Sequence, residues 1–187
     1  MDFDVVIVGA GPSGLAAAIR LAQLGQQHQK ELNICIIDKG EQVGSHILSG
    51  AVLEPKALDE LLPDWRNMNA PMHTPVTQDR FMLMTKSRSI RLPTPPQMNN
   101  HGNYIISLGL FTRWLAEQAE SLGINIFPGF AATEAIIENG RVVGIITGDK
   151  GIDKKGQHKP TYQPGMALRA KQVILAEGCR GSLTKIL

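Results

Sequence analysis

Asp4-Val-Val-Ile-Val-Gly-Ala-Gly-Pro-Ser-Gly14 is followed at once by Leu15-Ala-Ala-Ala-Ile-Arg-Leu21. An apolar β-branched run, Val5 to Val8, feeds a G-x-G-x-x-G pattern, and an Ala/Leu-rich helical stretch leaves it. The glycine spacing alone is weak; between a strand and a helix it becomes a dinucleotide-binding fingerprint. Gly9 permits the tight turn, Gly11 lets the backbone approach a pyrophosphate, and Gly14 lets the helix pack closely on the strand. The helix N-terminus then offers free N–H groups and partial positive charge to phosphates.

Working outward, Leu32-Asn-Ile-Cys-Ile-Ile-Asp38 reads as a second buried parallel strand ending in a carboxylate. A carboxylate there accepts hydrogen bonds from an adenosine ribose. It stands 24 positions after Gly14, slightly past the usual offset of about 20. The polar extension at 26–31 accounts for the excess. Gly40-Glu-Gln-Val-Gly-Ser-His-Ile-Leu-Ser-Gly50 follows, a loop of small residues against which a flat ring or a pyrophosphate can lie. Ser45, His46 and Ser49 are its candidate hydrogen-bond donors.

The 187 residues carry a formal net charge of +2 and are 43% hydrophobic. That is enough for a substantial core and too near neutrality for a nucleic-acid surface. The most basic stretch, with Lys150, Lys154, Lys155 and Lys159, is interleaved with Asp149 and Asp153 and reads as a solvated loop. Two cysteines form neither a metal site nor a disulfide framework; Cys35 reads as a small core residue and Cys179 as an ordinary thiol. The fingerprint starts almost at Met1 and no run is long enough to span a bilayer, so the expectation is no signal peptide and a reducing, cytoplasm-facing setting.

Leu58, Leu61, Leu62 and Trp65 recur at helical spacing behind Pro55 and read as core, while Leu53, Trp65 and Met68 leave an interfacial role open. Pro71, Pro75, Pro93, Pro95 and Pro96 punctuate a segment with one expected strand at 80–84 and a second around Ile90. Residues 70–105 are expected to belong to an inserted, strand-containing segment. Asn99-Asn-His-Gly102 signals a turn, and residues 110–122 a helix that Gly123 caps.

A short strand at 124–127 follows, and Asn139-Gly140 joins strands at 135–138 and 141–147 as a hairpin. The pattern predicts a third antiparallel strand at 166–170 and a separate strand at 172–176 that returns to the parallel sheet, ending at Glu177-Gly-Cys-Arg-Gly181. The crossover is then a three-stranded meander. Helical crossovers are usual in NAD-dehydrogenase domains and meanders in FAD-binding relatives, so fold analogy gives an α/β, Rossmann-like FAD-binding domain with a β-meander crossover.

Longer strings carry a resemblance. Val8-Gly-Ala-Gly-Pro-Ser-Gly-Leu-Ala-Ala-Ala-Ile-Arg-Leu21 is similar to the FAD fingerprint of glutathione-reductase-type flavoproteins. Gly44-Ser-His-Ile-Leu-Ser-Gly-Ala51, Leu62-Pro-Asp-Trp65, Ala70-Pro-Met-His-Thr-Pro-Val-Thr77 and Asp79-Arg-Phe81 resemble the electron transfer flavoprotein–ubiquinone oxidoreductase family. Met98-Asn-Asn-His-Gly-Asn-Tyr-Ile105, Gly129-Phe-Ala-Ala132 and Ala176-Glu-Gly-Cys-Arg-Gly-Ser-Leu183 continue the match over the whole length given.

That resemblance implies an FAD enzyme that takes electrons from reduced electron transfer flavoprotein and passes them to ubiquinone. It also implies a peripheral position on the cytoplasmic side of the inner (cytoplasmic) membrane, with residues 58–68 contributing to the membrane-facing surface, and a [4Fe–4S] cluster. Members of that family are much longer. Their quinone-binding domain, later Gly-Asp motif and cysteine cluster lie outside these residues, so 1–187 is expected to be an incomplete FAD-binding domain, inactive alone. Related flavoproteins often place an Arg just before the helix at Leu110; here Ser107 and Leu108 stand there.

Carried over by position, the resemblance assigns Gly9, Gly11, Pro12, Ser13 and Gly14 to the pyrophosphate, and Asp38, with Lys39 beside it, to the adenosine ribose. Ser45, Ser49, Gly50 and Ala51 fall to the flavin-side loop, Ala132 to the adenine through its backbone, and Gly178 and Gly181 to close approach of the last strand. His46 and His101 read as loop hydrogen-bonders, and neither a catalytic residue nor a metal ligand is assigned. The alternatives are a FixC-like or geranylgeranyl-reductase-like flavoprotein, and a nucleotide-binding module without redox activity.

Overall fold

The computed structural model describes residues 1–48, 50–153 and 156–187. In chain order its strands are β1 (Asp2–Val8), β2 (Ile34–Asp38), β3 (Ala51–Leu53), β4 (Thr74–Pro75), β5 (Phe81–Met84), β6 (Ser89–Leu92) and β7 (Tyr104–Ile106). They continue with β8 (Asn125–Pro128), β9 (Ala132–Glu138), β10 (Arg141–Thr147), β11 (Lys150–Ile152), β12 (His158–Gln163) and β13 (Ala167–Leu175). The α-helices are α1 (Pro12–Gln27), α2 (Lys56–Leu61) and α3 (Leu108–Ser121). These elements form two compact units, one of Met1–Ile47 with Thr112–Leu187, the other of Leu48–Phe111.

The first unit is built on a sheet in the order β8-β2-β1-β13-β10-β9. β1 runs parallel to both β2 and β13, and β2 parallel to β8. Parallel strands of this kind are covered on both faces, so β1 and β2 are continuous apolar runs rather than alternating ones. The two-residue period still sorts their side chains. Val6, Val8, Cys35 and Ile37 join Ile145, Leu168, Ala170 and Leu183 in one cluster. Ile7, Ile34 and Ile36, also buried, take the opposite face. α1 packs against β1 and β2 and buries Leu15, Ala18 and Ile19. Leu15 and Ile19 each contribute roughly 1.5–3 kcal/mol by leaving water. Burial also pushes the Cys35 thiol up to about 12, whereas Cys179 is exposed.

β13 changes partner along its length. Ala167 to Arg169 pair antiparallel with β10, while Arg169 to Leu175 run parallel to β1. The two strands expected at 166–170 and 172–176 are therefore one. The partners use opposite edges of the same backbone, so nothing interrupts the strand between Ala170 and Gln172. The Lys-rich stretch also differs from its expected form as a loop: β11 and β12 pair as a hairpin. Asp153 closes it, its carboxylate accepting from the Gln157 N–H at 2.9 Å. Lys154 and Lys155 lie outside the described residues.

The second unit contains the sheet β3-β7-β4 and the hairpin β5-β6. α2 and the short helical turn Trp65–Asn67 bury Leu58, Leu62 and Trp65. The Trp65 Nε1–H donates to Asp59 at 2.8 Å, and its ring meets Tyr104 edge-on at 5.7 Å. With Trp65 only 3% exposed, the stripe of Leu58, Leu62 and Trp65 is core, and the Trp65 ring is not an exposed interfacial anchor. Asp79 accepts from both the backbone N–H and the Nδ2 of Asn100, each at 2.8 Å, pinning the turn at 99–102. Those bonds hold the Asp79 carboxyl below its ordinary value.

Candidate functional site

The tips of β1 and β13 are joined, the Ala176 N–H donating to Val8 O at 2.8 Å. Gly9 leaves β1 with φ of +109°, where side chains are strained, and a Cβ there would collide with Ala176 O. A Cβ on Gly14 would collide with Gly9 O and come within 3.2 Å of Ala176 Cβ, so α1 rests directly on the turn. Gly11 is different. Its backbone is extended (φ −77°, ψ 176°), and nothing lies within 4 Å of a Cβ built there. The fold itself demands the first and third glycines; the second leaves a space clear in front of α1. Pro12 opens the helix and no side chain caps it. Its first-turn N–H groups therefore face that space without a side-chain acceptor. These features fit a dinucleotide pyrophosphate.

Asp38 ends β2 and ties two segments together. One carboxylate oxygen accepts from the Ala10 N–H at 2.8 Å, the other from the Gly40 N–H at 2.7 Å. Each oxygen retains a second lone pair, so ribose hydroxyls can still donate to it. Phe130 N–H donates to Asp38 O at 2.9 Å and Gly129 N–H to Gly40 O at 2.7 Å, bringing the segment before Ala132 to the same strand tip. Lys39 is exposed. In the loop after β2, the Ser45 hydroxyl donates to Gln42 O at 2.7 Å. The Arg113 Nε–H, from α3, donates to Val43 O at 3.2 Å. Ser107, where related flavoproteins often carry Arg, sits at the start of α3, its carbonyl accepting from the Phe111 N–H at 3.0 Å.

Beyond β13, Gly178 has φ of +75° with open space around it. Gly181 packs beside the Glu177 carboxylate and the Thr184 hydroxyl. Glu177 is the residue the sequence reading passes over. Its carboxylate accepts from the N–H groups of Ser182, Leu183 and Thr184 and from the Thr184 hydroxyl, capping the turn Leu183–Lys185. Partial burial pushes this carboxyl up, but the bonds from Thr184, Leu183 and Ser182 outweigh it and hold it below the ordinary value. The signal was an acidic side chain shortly before a Ser-Leu-Thr turn.

The first unit thus holds Gly9, Gly11, Pro12, Ser13, Gly14, Asp38, Lys39, Ser45, Ala132, Gly178 and Gly181. Gly50 and Ala51 belong to the second unit, where Ala51 opens β3; Ser49 lies outside the described residues. His46 and His101 are exposed. Among the described residues, no three His, Cys, Asp or Glu side chains are grouped to hold a metal ion, and no helix is long and apolar enough to cross a membrane.

The sequence profile described as pyridine nucleotide-disulphide oxidoreductase matches residues 3–186. The chain belongs to that family. Among curated members, it is 59% identical over 185 residues to the mitochondrial electron transfer flavoprotein-ubiquinone oxidoreductase of Dictyostelium discoideum, covering 98% of this chain and 30% of that protein. It is 55% identical over 193 residues to the electron transfer flavoprotein-ubiquinone oxidoreductase of Pseudomonas aeruginosa, covering 100% of this chain and 35% of that one. The chain thus spans about a third of the length of these relatives. Among solved structures, a geranylgeranyl bacteriochlorophyll reductase-like protein from Thermoplasma acidophilum has a TM-score of 0.65 at 26% identity, covering 94% of this chain and 39% of that one. A myxobacterial FAD-dependent chondrochloren halogenase shares the fold, with a TM-score of 0.65 at 16% identity, covering 98% of this chain and 39% of that one. The architecture is accordingly the Rossmann-like α/β FAD-binding fold of the pyridine nucleotide-disulphide oxidoreductases, with a β-meander crossover.

Proposed function

We propose that the chain is the N-terminal FAD-binding part of an oxidoreductase that passes electrons from reduced electron transfer flavoprotein to ubiquinone. The cofactor assignment rests on the joined tips of β1 and β13 and the clear space over Gly11. Donor and acceptor come from the names of relatives more than half identical over nearly all of this chain. Bound FAD supplies a redox centre that accepts and releases electrons. The chain's own residues hold it. Gly11 and the first turn of α1, with Pro12, Ser13 and Gly14, take the pyrophosphate. Asp38, fixed by Ala10 and Gly40, accepts from the ribose, with Lys39 beside it. By resemblance, Ala132 is assigned to the adenine, Gly178 and Gly181 to close approach past β13, and Ser45, Ser49, Gly50 and Ala51 to the flavin-side loop. A [4Fe–4S] cluster belongs, in this reading, to the longer protein.

The membrane-surface role falls to the hairpin β5-β6. Leu83 and Ile90 are each 52% exposed and Met84 75%. Arg80, Lys86, Arg88 and Arg91 lie in and around the same ribbon. Apolar side chains of this kind enter the headgroup boundary while basic ones meet anionic lipid. This supports a peripheral position on the inner membrane.

The test uses the full-length protein, reduced electron transfer flavoprotein and a soluble quinone analogue. Quinone reduction is expected; none with an active donor present would contradict the reading. The similarity to the geranylgeranyl reductase-like structure favours a second reading, a related flavoprotein reductase. A cysteine cluster downstream in the reading frame supports the first, and its absence the second.

A further inference from the structure

Among the described residues, Arg113 is a cation with one hydrogen bond and no counter-ion. α3 fixes its backbone, because Thr112, Trp114, Leu115, Ala116 and Ala119 around it are all buried. The side chain itself is exposed and reaches the loop after β2, where Nε–H donates to Val43 O at 3.2 Å. A guanidinium carries five N–H donors, and this contact uses one. Among the described residues the Nη groups make no hydrogen bond, and Arg113 joins none of the ion pairs. A neutral donor would serve Val43 as well, so the contact does not account for the charge.

The loop it grips is the one bound to the glycine turn. Gly40 N–H and Ala10 N–H share the Asp38 carboxylate, and Val43 lies three positions after Gly40. Three residues span at most about 10 Å, so the loop backbone that Arg113 holds stays near the Asp38 tie. Lys39, exposed on the same loop, adds a second cation. Planar guanidinium donors pair with phosphate oxygens through two bonds at once, and such pairs are among the stronger hydrogen bonds.

We infer that Arg113 binds a phosphate of the dinucleotide, holding it from the side of the loop while the first turn of α1 holds it from the other. This deepens the cofactor reading above and rests on it. The experiment titrates ADP, adenosine and FAD against the chain, wild type and Arg113→Met, Arg113→Lys and Lys159→Met, at low and moderate salt. Lys159, in β12, removes the same charge away from the loop.

Loss of a charged hydrogen-bonding partner predicts that Arg113→Met weakens ADP and FAD about tenfold, with adenosine changed less than about twofold. Arg113→Lys should fall between, Lys159→Met should match wild type, and the salt dependence of ADP binding should flatten in Arg113→Met. Equal weakening of adenosine and ADP would reduce Arg113 to a prop for Val43 and overturn the inference. Unchanged ADP affinity in Arg113→Met would overturn it too, while leaving the cofactor reading intact. A wild-type chain that binds neither ADP nor FAD contradicts both.

Discussion

Val6, Ile7, Cys35 and Ile36 in the first unit are wholly buried, whereas Leu83, Met84 and Ile90 in the β5-β6 hairpin of the second are half or more exposed. Both sets lie on apolar strands. The difference is in what covers them. β1 has a parallel neighbour on each edge and α1 against it, while among the described residues β5 and β6 pair as a two-stranded ribbon with each other alone. A two-stranded ribbon has no second layer to hide its side chains. Apolar content therefore marks a strand, and its partners decide whether that strand becomes core or contact surface.

The largest expected effect breaks the buried side of that contrast. Ile36→Ala should lower the unfolding free energy by about 2–5 kcal/mol, because the side chain is fully buried in a close-packed layer. Urea denaturation measures it, and a loss below about 1 kcal/mol would mean β2 is not core.

A smaller effect lies at the strand tip. Glu177→Gln should cost about 1 kcal/mol at neutral pH by weakening the cap on Leu183–Lys185. The sign follows from a folded-state value held below the ordinary 4.5. The ionised carboxylate stabilises the fold above that ordinary value, and the contribution is lost as pH falls through the depressed one. Wild type and variant should therefore converge in acid; a gap that stays constant down to pH 3 would remove Glu177 as a charged cap.

The smallest effect on stability sharpens the exposed side. Leu83→Asp with Met84→Asp should leave the unfolding free energy within about 0.5 kcal/mol of wild type. Co-sedimentation of the full-length protein with anionic vesicles should nonetheless fall several-fold. Vesicle binding that survives the pair would take the hairpin out of the membrane reading.

Legibility in the sequence followed the range of the forces involved. β1, the glycine turn, α1 and β2 were readable because strand propensity, turn chemistry and helical pattern agree within forty residues. The merging of two expected strands into β13 was not, because the switch from β10 to β1 depends on which strands lie on each edge. The Lys-rich hairpin was hidden for a similar reason: charge suggested solvent, and exposed strands are also solvated. Trp65 was read both ways, and only its bond to Asp59 and contact with Tyr104 decide for core. At the site, the pattern named the three glycines, but not that Gly9 and Gly14 serve packing while Gly11 alone guards empty space.

That last distinction gives the most direct measurement. Gly11→Leu introduces a side chain at an ordinary extended backbone position where nothing lies within 4 Å. The melting temperature of the variant without ligand should match wild type. Its affinity for FAD should fall about 100-fold or more, the equivalent of about 2.7 kcal/mol, because the side chain fills the place of the pyrophosphate. A Gly11→Leu chain that folds normally and binds FAD as tightly as wild type would contradict the assignment of this strand-tip space to the cofactor.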